Sequence, residues 1–156
     1  MSITTSSWEH QLMDLAYEGI QSPSGEGCPE ARDEVLQQAY SVCTALTKEH
    51  SRSFYLASGL LPSDKRSAAR VLYAFCRISD DIVDRANGTD PKKTLTELNA
   101  WRELVLSNCE ADSHPLALAW ADTQATYRIP RRYAEQLLDG IAWDLVRSRY
   151  QTFEEL

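Results

Sequence analysis

A chain of 156 residues, 43% hydrophobic and 25% charged, has the length and composition of one domain with its own core. Its net charge of −7 argues against a nucleic-acid partner, which needs a basic patch, and no apolar run approaches the roughly 18 residues of a membrane-spanning helix. Residues 1–7 are polar and lack a basic region, so they do not read as a signal peptide; a cytoplasmic setting is expected, with peripheral attachment to a membrane left open.

The N-terminal stretch carries Trp8, Leu12, Leu15 and Ile20 at near-helical spacing, and residues 21–29, rich in Pro, Gly and Ser, read as a loop. Residues 1–29 are therefore expected to be peripheral, and residues 30–156 to form the main unit. Pro29 suits a helix start, and Leu36, Ala39, Tyr40, Cys43 and Leu46 keep helical spacing up to residues 49–50. The short apolar run 56–61 follows, with Ser51 and Ser53 before it.

Pro62-Ser63-Asp64 opens a helix predicted over residues 63–85, which Asn87-Gly88 stops. A fourth helix is predicted over 91–107, with Leu95, Leu98, Trp101, Leu104 and Val105. A fifth begins at Ser113-His114-Pro115 and runs through Ala125, before the break at 127–130. A sixth spans 130–148 with Tyr133, Leu137, Ile141 and Leu145. Thr152 and Glu155 resemble a capping box that opens a further helix. No segment alternates as a strand would, so the fold class is all-α, with helices joined by short turns.

The four cysteines, Cys28, Cys43, Cys76 and Cys109, form no CxxC pair, which argues against zinc. Cys43 and Cys76 read as small buried apolar residues in a reducing compartment. Three histidines are too few and too scattered for a histidine-based metal site.

Residues 77–84 read Arg-Ile-Ser-Asp-Asp-Ile-Val-Asp. At about 100° per residue, with Asp80 at zero, Tyr73, Asp84 and Arg77 fall between about 20° and 60°, and Asp81 lies off to the side near 100°. Val71, Phe75, Ile78 and Ile82 fall between about 160° and 220°, and Leu72, Val83 and Cys76 between about 280° and 320°. A helix apolar around most of its girth is expected to be buried, and buried carboxylates must be paired or bind metal. Asp80 and Asp84, one turn apart, can aim oxygens at one hard cation such as Mg²⁺ that keeps waters and phosphate ligands. Arg77 can grip phosphate oxygens bidentately, and Tyr73 adds a hydroxyl and a ring. The plainer alternative is an intrahelical ion pair on a solvated face.

The second candidate is His50-Ser51-Arg52-Ser53-Phe54-Tyr55, at the end of one helix and the start of another. Two hydroxyls, a guanidinium and free backbone N–H groups suit an anion. The plainer alternative is that Ser-x-Ser simply caps a helix.

In order and spacing these two segments, with Leu60-Leu61-Pro62 between them, Tyr73-Ala74-Phe75-Cys76-Arg77 leading into Asp80, and the weaker Tyr133, Leu137, Gly140 and Asp144 to Tyr150 positions, resemble the N-terminal half of the squalene/phytoene synthase family, bacterial phytoene synthases in particular. The resemblance implies an isoprenoid-synthase helical bundle and head-to-head condensation of two prenyl diphosphates through a cyclopropylcarbinyl diphosphate. It implies Mg²⁺ on Asp80 and Asp84, diphosphate contacts from Arg77 and Tyr73, a first diphosphate site lined by His50, Ser51, Arg52 and Ser53, and Phe54 in the hydrocarbon pocket. Geranylgeranyl diphosphate to phytoene is the expected reaction. Squalene or dehydrosqualene synthesis from farnesyl diphosphate, or a non-catalytic helical remnant, is the alternative.

Other classes fit less well. A head-to-tail prenyltransferase or cyclase shares the aspartates without the His-Ser-x-Ser-Phe segment, and a di-iron bundle needs a Glu three residues before a His. The family pairs two aspartate-rich helices. Here Asp139 and Asp144 are five apart and Asp112 and Asp122 farther; Asp14 and Glu18 have the spacing, but in the N-terminal segment. The chain is therefore expected to be truncated, to hold half a site, and to have little activity alone.

Overall fold

The computed structural model describes residues 33–85, 91–107 and 114–145, together with Met13, Asp14 and Tyr17. The near-helical stretch over 7–20 apart from those three residues, which are helical, the loop over 21–29, the Asn87-Gly88 stop, the capping box at Thr152, and Cys28 and Cys109 lie outside the described residues. Six helices are present among the described residues: α1 (Asp33–His50), α2 (Arg52–Ser58), α3 (Ser63–Asp84), α4 (Pro91–Leu106), α5 (Pro115–Tyr127) and α6 (Arg131–Asp144). None is long and apolar enough to cross a membrane.

Local chemistry explains the boundaries. Asp33 and Glu34 stand in the first turn of α1, and Lys48 and His50 in its last, each opposite the matching end of the helix dipole. Ser51, in extended conformation, caps α2 by accepting the Phe54 N–H at 3.3 Å. His114 caps α5 through Nδ1, which accepts the Leu116 N–H at 3.3 Å, and Pro115 needs no partner as the first helical residue. α5 runs two residues past the predicted Ala125 because its stop is a left-handed residue, Arg128 (φ 52°), rather than a glycine. The Ile129 N–H then reaches back to the Gln124 carbonyl at 2.9 Å and closes the helix end.

α3 touches each of the other five helices. Its Val71, Ala74 and Phe75 are buried among Ala39 and Cys43 of α1, Leu98 and Trp101 of α4, Leu116–Trp120 of α5 and Leu138 of α6. Phe75 stacks on Trp120 with centroids 4.5 Å apart. Trp101 donates its indole N–H to the buried Ser79 hydroxyl at 2.9 Å, which itself donates to the Phe75 carbonyl. Between α1 and α5, the Tyr40 hydroxyl donates to Asp122 at 2.6 Å beside buried Thr123. Burial, then the Asp122 bond, push the Tyr40 phenol well above its ordinary range. Cys43 is fully buried, as its apolar setting suggested, and burial pushes its thiol up to about 12.

The expectation that α3 is buried around most of its girth needs correction. The helix buries an arc of roughly 80° to 260° from Asp80, which holds Arg70, Val71, Ala74, Phe75, Ser79 and Asp81. The remaining arc is the more open one: Leu72 is 45% exposed, Cys76 and Val83 are half-buried against the edge of the core, and Phe54 of α2 stacks on Tyr73 there. The helix buried on all sides is α5, whose residues 116–120 are all buried.

Candidate active site

Asp80 and Asp84 lie exposed on the more open arc of α3, which also carries Leu72, Cys76 and Val83. The third carboxylate of the run behaves differently. Asp81, expected off to one side, is the buried one, and it accepts from Arg77 at one oxygen and from Arg85 at 3.4 Å at the other. Two cations thus compensate a carboxylate at the edge of the core, as burial requires. The conflict between burial and charge in this run is therefore resolved by ion pairing at Asp81, and it does not arise at Asp80 or Asp84. The reason is rotation: Asp81 sits about 100° further round, on the side that faces the core.

Arg77 leans towards Asp81. Its Nε is buried and has no partner among the described residues, while 37% of its side chain remains accessible. Cys76, one turn before Asp80, has its thiol raised by burial and then by the Asp80 charge. Asp80 and Asp84 are hard oxygen donors one turn apart with access to solvent. They match in kind a Mg²⁺ that completes its octahedron with waters and phosphate oxygens. No group of three or more potential ligands is gathered among the described residues, so an all-protein cage is not formed by them.

The second segment is brought against the first. The Phe54 ring stacks on Tyr73 with centroids 5.0 Å apart and planes at 21°. His50, Arg52 and Ser53 are exposed at the junction of α1 and α2. The Ser51 hydroxyl caps α2, the plainer of its two expected roles, and lies 3.4 Å from that of Ser53.

Sequence reasoning missed Arg70, on the buried arc of α3. Its Nε donates to the Ser58 hydroxyl at 3.1 Å and its Nη2 to the Tyr55 carbonyl at 3.2 Å. Its guanidinium carbon stands 4.2 Å from the Tyr55 ring centroid. Thr47 of α1 joins the same knot by donating to the Arg70 carbonyl at 3.2 Å and the Cys43 carbonyl at 2.8 Å. A signal was present: on the helical projection Arg70 falls near 80°, in line with Arg77 and Asp81, which marks a second polar stripe at the edge of the core.

The squalene/phytoene synthase family profile matches residues 47–156, which include both candidate segments. This chain belongs to the squalene/phytoene synthase family. It is similar to 15-cis-phytoene synthase of Synechocystis sp., 34% identical over 137 residues, covering 86% of this chain and 38% of that protein. It is also similar to the chloroplastic phytoene synthase of Daucus carota, 34% identical over 125 residues (78% of this chain, 30% of that protein). The phytoene synthase of Mycobacterium tuberculosis is 32% identical over 121 residues, covering 78% and 39%. The chain thus spans about a third of the length of these relatives. No solved structure matches it. The all-α bundle is the class this family membership calls for, and the resemblance carried by the Ser-Phe-Tyr and Tyr-Ala-Phe-Cys-Arg segments is borne out.

Proposed function

We propose that this chain supplies the first half of a site that condenses two prenyl diphosphates head to head, with geranylgeranyl diphosphate to phytoene as the reaction of the complete protein. The observation that carries the reading is the Phe54–Tyr73 stack, which joins the two candidate segments beside the exposed Asp80 and Asp84. The similar proteins named phytoene synthase favour phytoene over squalene.

Asp80 and Asp84 would hold Mg²⁺, which when bound supplies positive charge to a departing diphosphate. Arg77 adds a fixed cation one turn away and, when an anion arrives, exchanges part of its contact with Asp81 for phosphate oxygens. Arg52 and the Ser53 hydroxyl offer donors to a second diphosphate, and His50 borders them. Ser51 contributes mainly by holding the α2 start in place. Phe54, Tyr73 and Leu72 form an apolar and aromatic wall beside the carboxylates, where a prenyl chain excludes water from an allylic cation. A lipid surface as peripheral partner belongs to the same reading, because Leu56 and Leu60 are 71% and 90% exposed.

The test is titration of the purified chain with inorganic pyrophosphate, with and without Mg²⁺, followed by incubation with the C20 diphosphate. Mg²⁺-dependent binding without phytoene formation is expected. Absence of binding overturns the diphosphate reading, and phytoene formed by the chain alone overturns the half-site reading.

A further inference from the structure

Helix α2 carries Arg52, Ser53 and Phe54, yet it has only seven residues. Isolated helices below about 12 residues are marginal in water, so α2 depends on bonds from outside itself. Its last carbonyls draw on donors beyond the regular helix: those of Leu56, Ala57 and Ser58 accept the Gly59, Leu60 and Leu61 N–H groups, and that of Tyr55, bonded to the Ser58 hydroxyl at 2.9 Å, takes a further donor. Arg70 of α3 supplies one, from Nη2 to the Tyr55 carbonyl, and ties down Ser58 through Nε. The flat guanidinium also covers the Tyr55 ring, with the Lys48 ammonium 5.8 Å from the same centroid. Ser58 is 4% exposed, Arg70 9% and Thr47 0%, so the knot is dry and its geometry is confined.

We infer that Arg70 is a positioning residue: it fixes the placement of α2 on α3, and thereby sets Arg52, Ser53 and Phe54 against the Asp80 and Asp84 face. The inference rests on the diphosphate reading above. The two donors and the ring contact require a planar fork, which a lysine ammonium cannot reproduce. Arg70 acts through α2 and needs no contact with a ligand.

The experiment compares wild type, Arg70→Met, Arg70→Lys and Tyr40→Phe, the last altering a buried hydrogen bond between α1 and α5. Mg²⁺-dependent pyrophosphate affinity, melting temperature and amide exchange are measured on each. Replacing a buried charge by an apolar chain of similar length is often tolerated, so Arg70→Met is expected to fold; Arg70→Lys serves if it does not. Both Arg70 variants are expected to bind pyrophosphate about tenfold more weakly, with faster exchange at residues 54–58 and unchanged exchange in α5. Tyr40→Phe is expected to keep wild-type affinity. Lowered melting temperature with unchanged affinity in both Arg70 variants means a purely structural role and overturns the inference. If wild type itself binds no pyrophosphate, the diphosphate reading fails separately. Exchange at residues 54–58 then decides alone: selective acceleration supports the placement of α2 by Arg70, and unchanged exchange overturns it.

Discussion

Helices α3 and α5 look alike in sequence, each apolar on most sides, but the fold uses them differently. α5 buries five consecutive residues, and its single charged residue, Asp122, is held by the Tyr40 hydroxyl of α1. α3 buries one half and leaves the other more open, with Leu72 and Cys76 on the same side as Asp80 and Asp84. Apolar residues on the covered half of α3 and throughout α5 serve packing. On the more open half Leu72 is 45% exposed, while Cys76 and Val83 still pack partly on the core. The acidic residues mark which half is which: Asp81 needs two arginines at the edge of the core, and Asp80 and Asp84 stand in solvent.

The contrast can be broken at several points. Trp120→Ala should cost about 3–5 kcal/mol, because it empties the centre of the bundle and removes the Phe75 stack; chemical denaturation measures it. The double change Asp80→Asn and Asp84→Asn should weaken Mg²⁺-dependent pyrophosphate binding by about 10- to 100-fold while moving stability by less than about 0.5 kcal/mol. A large stability loss there would mean that the more open half is packing surface after all. Asp81→Ala should do the reverse, costing about 1–3 kcal/mol because Arg77 loses its compensating carboxylate.

Alkaline pH offers a gentler probe of the covered half. The buried Cys43 thiol titrates near 12 in the folded chain against 9.0 for an ordinary thiol. The folded state therefore keeps a proton that the unfolded state loses. Stability should be at its full value below about pH 9 and fall as pH rises towards 12. The raised Tyr40 phenol acts in the same direction. Melting temperatures at pH 8 and 10 measure the fall, and Cys43→Ala should reduce it. The smallest effect is at the margin of α5: Arg128→Gly should stabilise by up to about 1 kcal/mol, because glycine adopts the left-handed conformation without a Cβ clash.

The helices were readable in advance because their signals are local. Pro62-Ser63-Asp64 and Pro115 open helices where expected, and hydrophobic spacing marks Val71, Phe75, Leu98 and Trp101 as core, while in α6 the spacing of Tyr133, Leu137 and Ile141 falls beside the buried Ala134 and Leu138. The ends were less readable where a residue without a glycine signal, Arg128, does the stopping. At the candidate site, the pairing of Phe54 with Tyr73 could be foreseen only through the family resemblance, because the two residues lie in different helices. The helical projection gave directions correctly, yet it could not say which direction the other helices would cover. That is why the burial of Asp81 and of Arg70 is not legible from the projection alone. Both lie where the polar edge of α3 meets neighbours, and the burial of Arg70 depends on where α2 comes to rest.

The hydrogen bond from Trp101 to Ser79 has an optical consequence. Ser79 immediately precedes Asp80, so an indole whose emission responds to its hydrogen-bond acceptor sits one residue from a candidate metal ligand. Among the other tryptophans, Trp120 lies deep against Phe75 and Trp143 is 59% exposed. The chain thereby carries a built-in fluorophore at the base of its carboxylate pair. Its emission should shift when a cation loads Asp80, and Trp101→Phe should silence that shift.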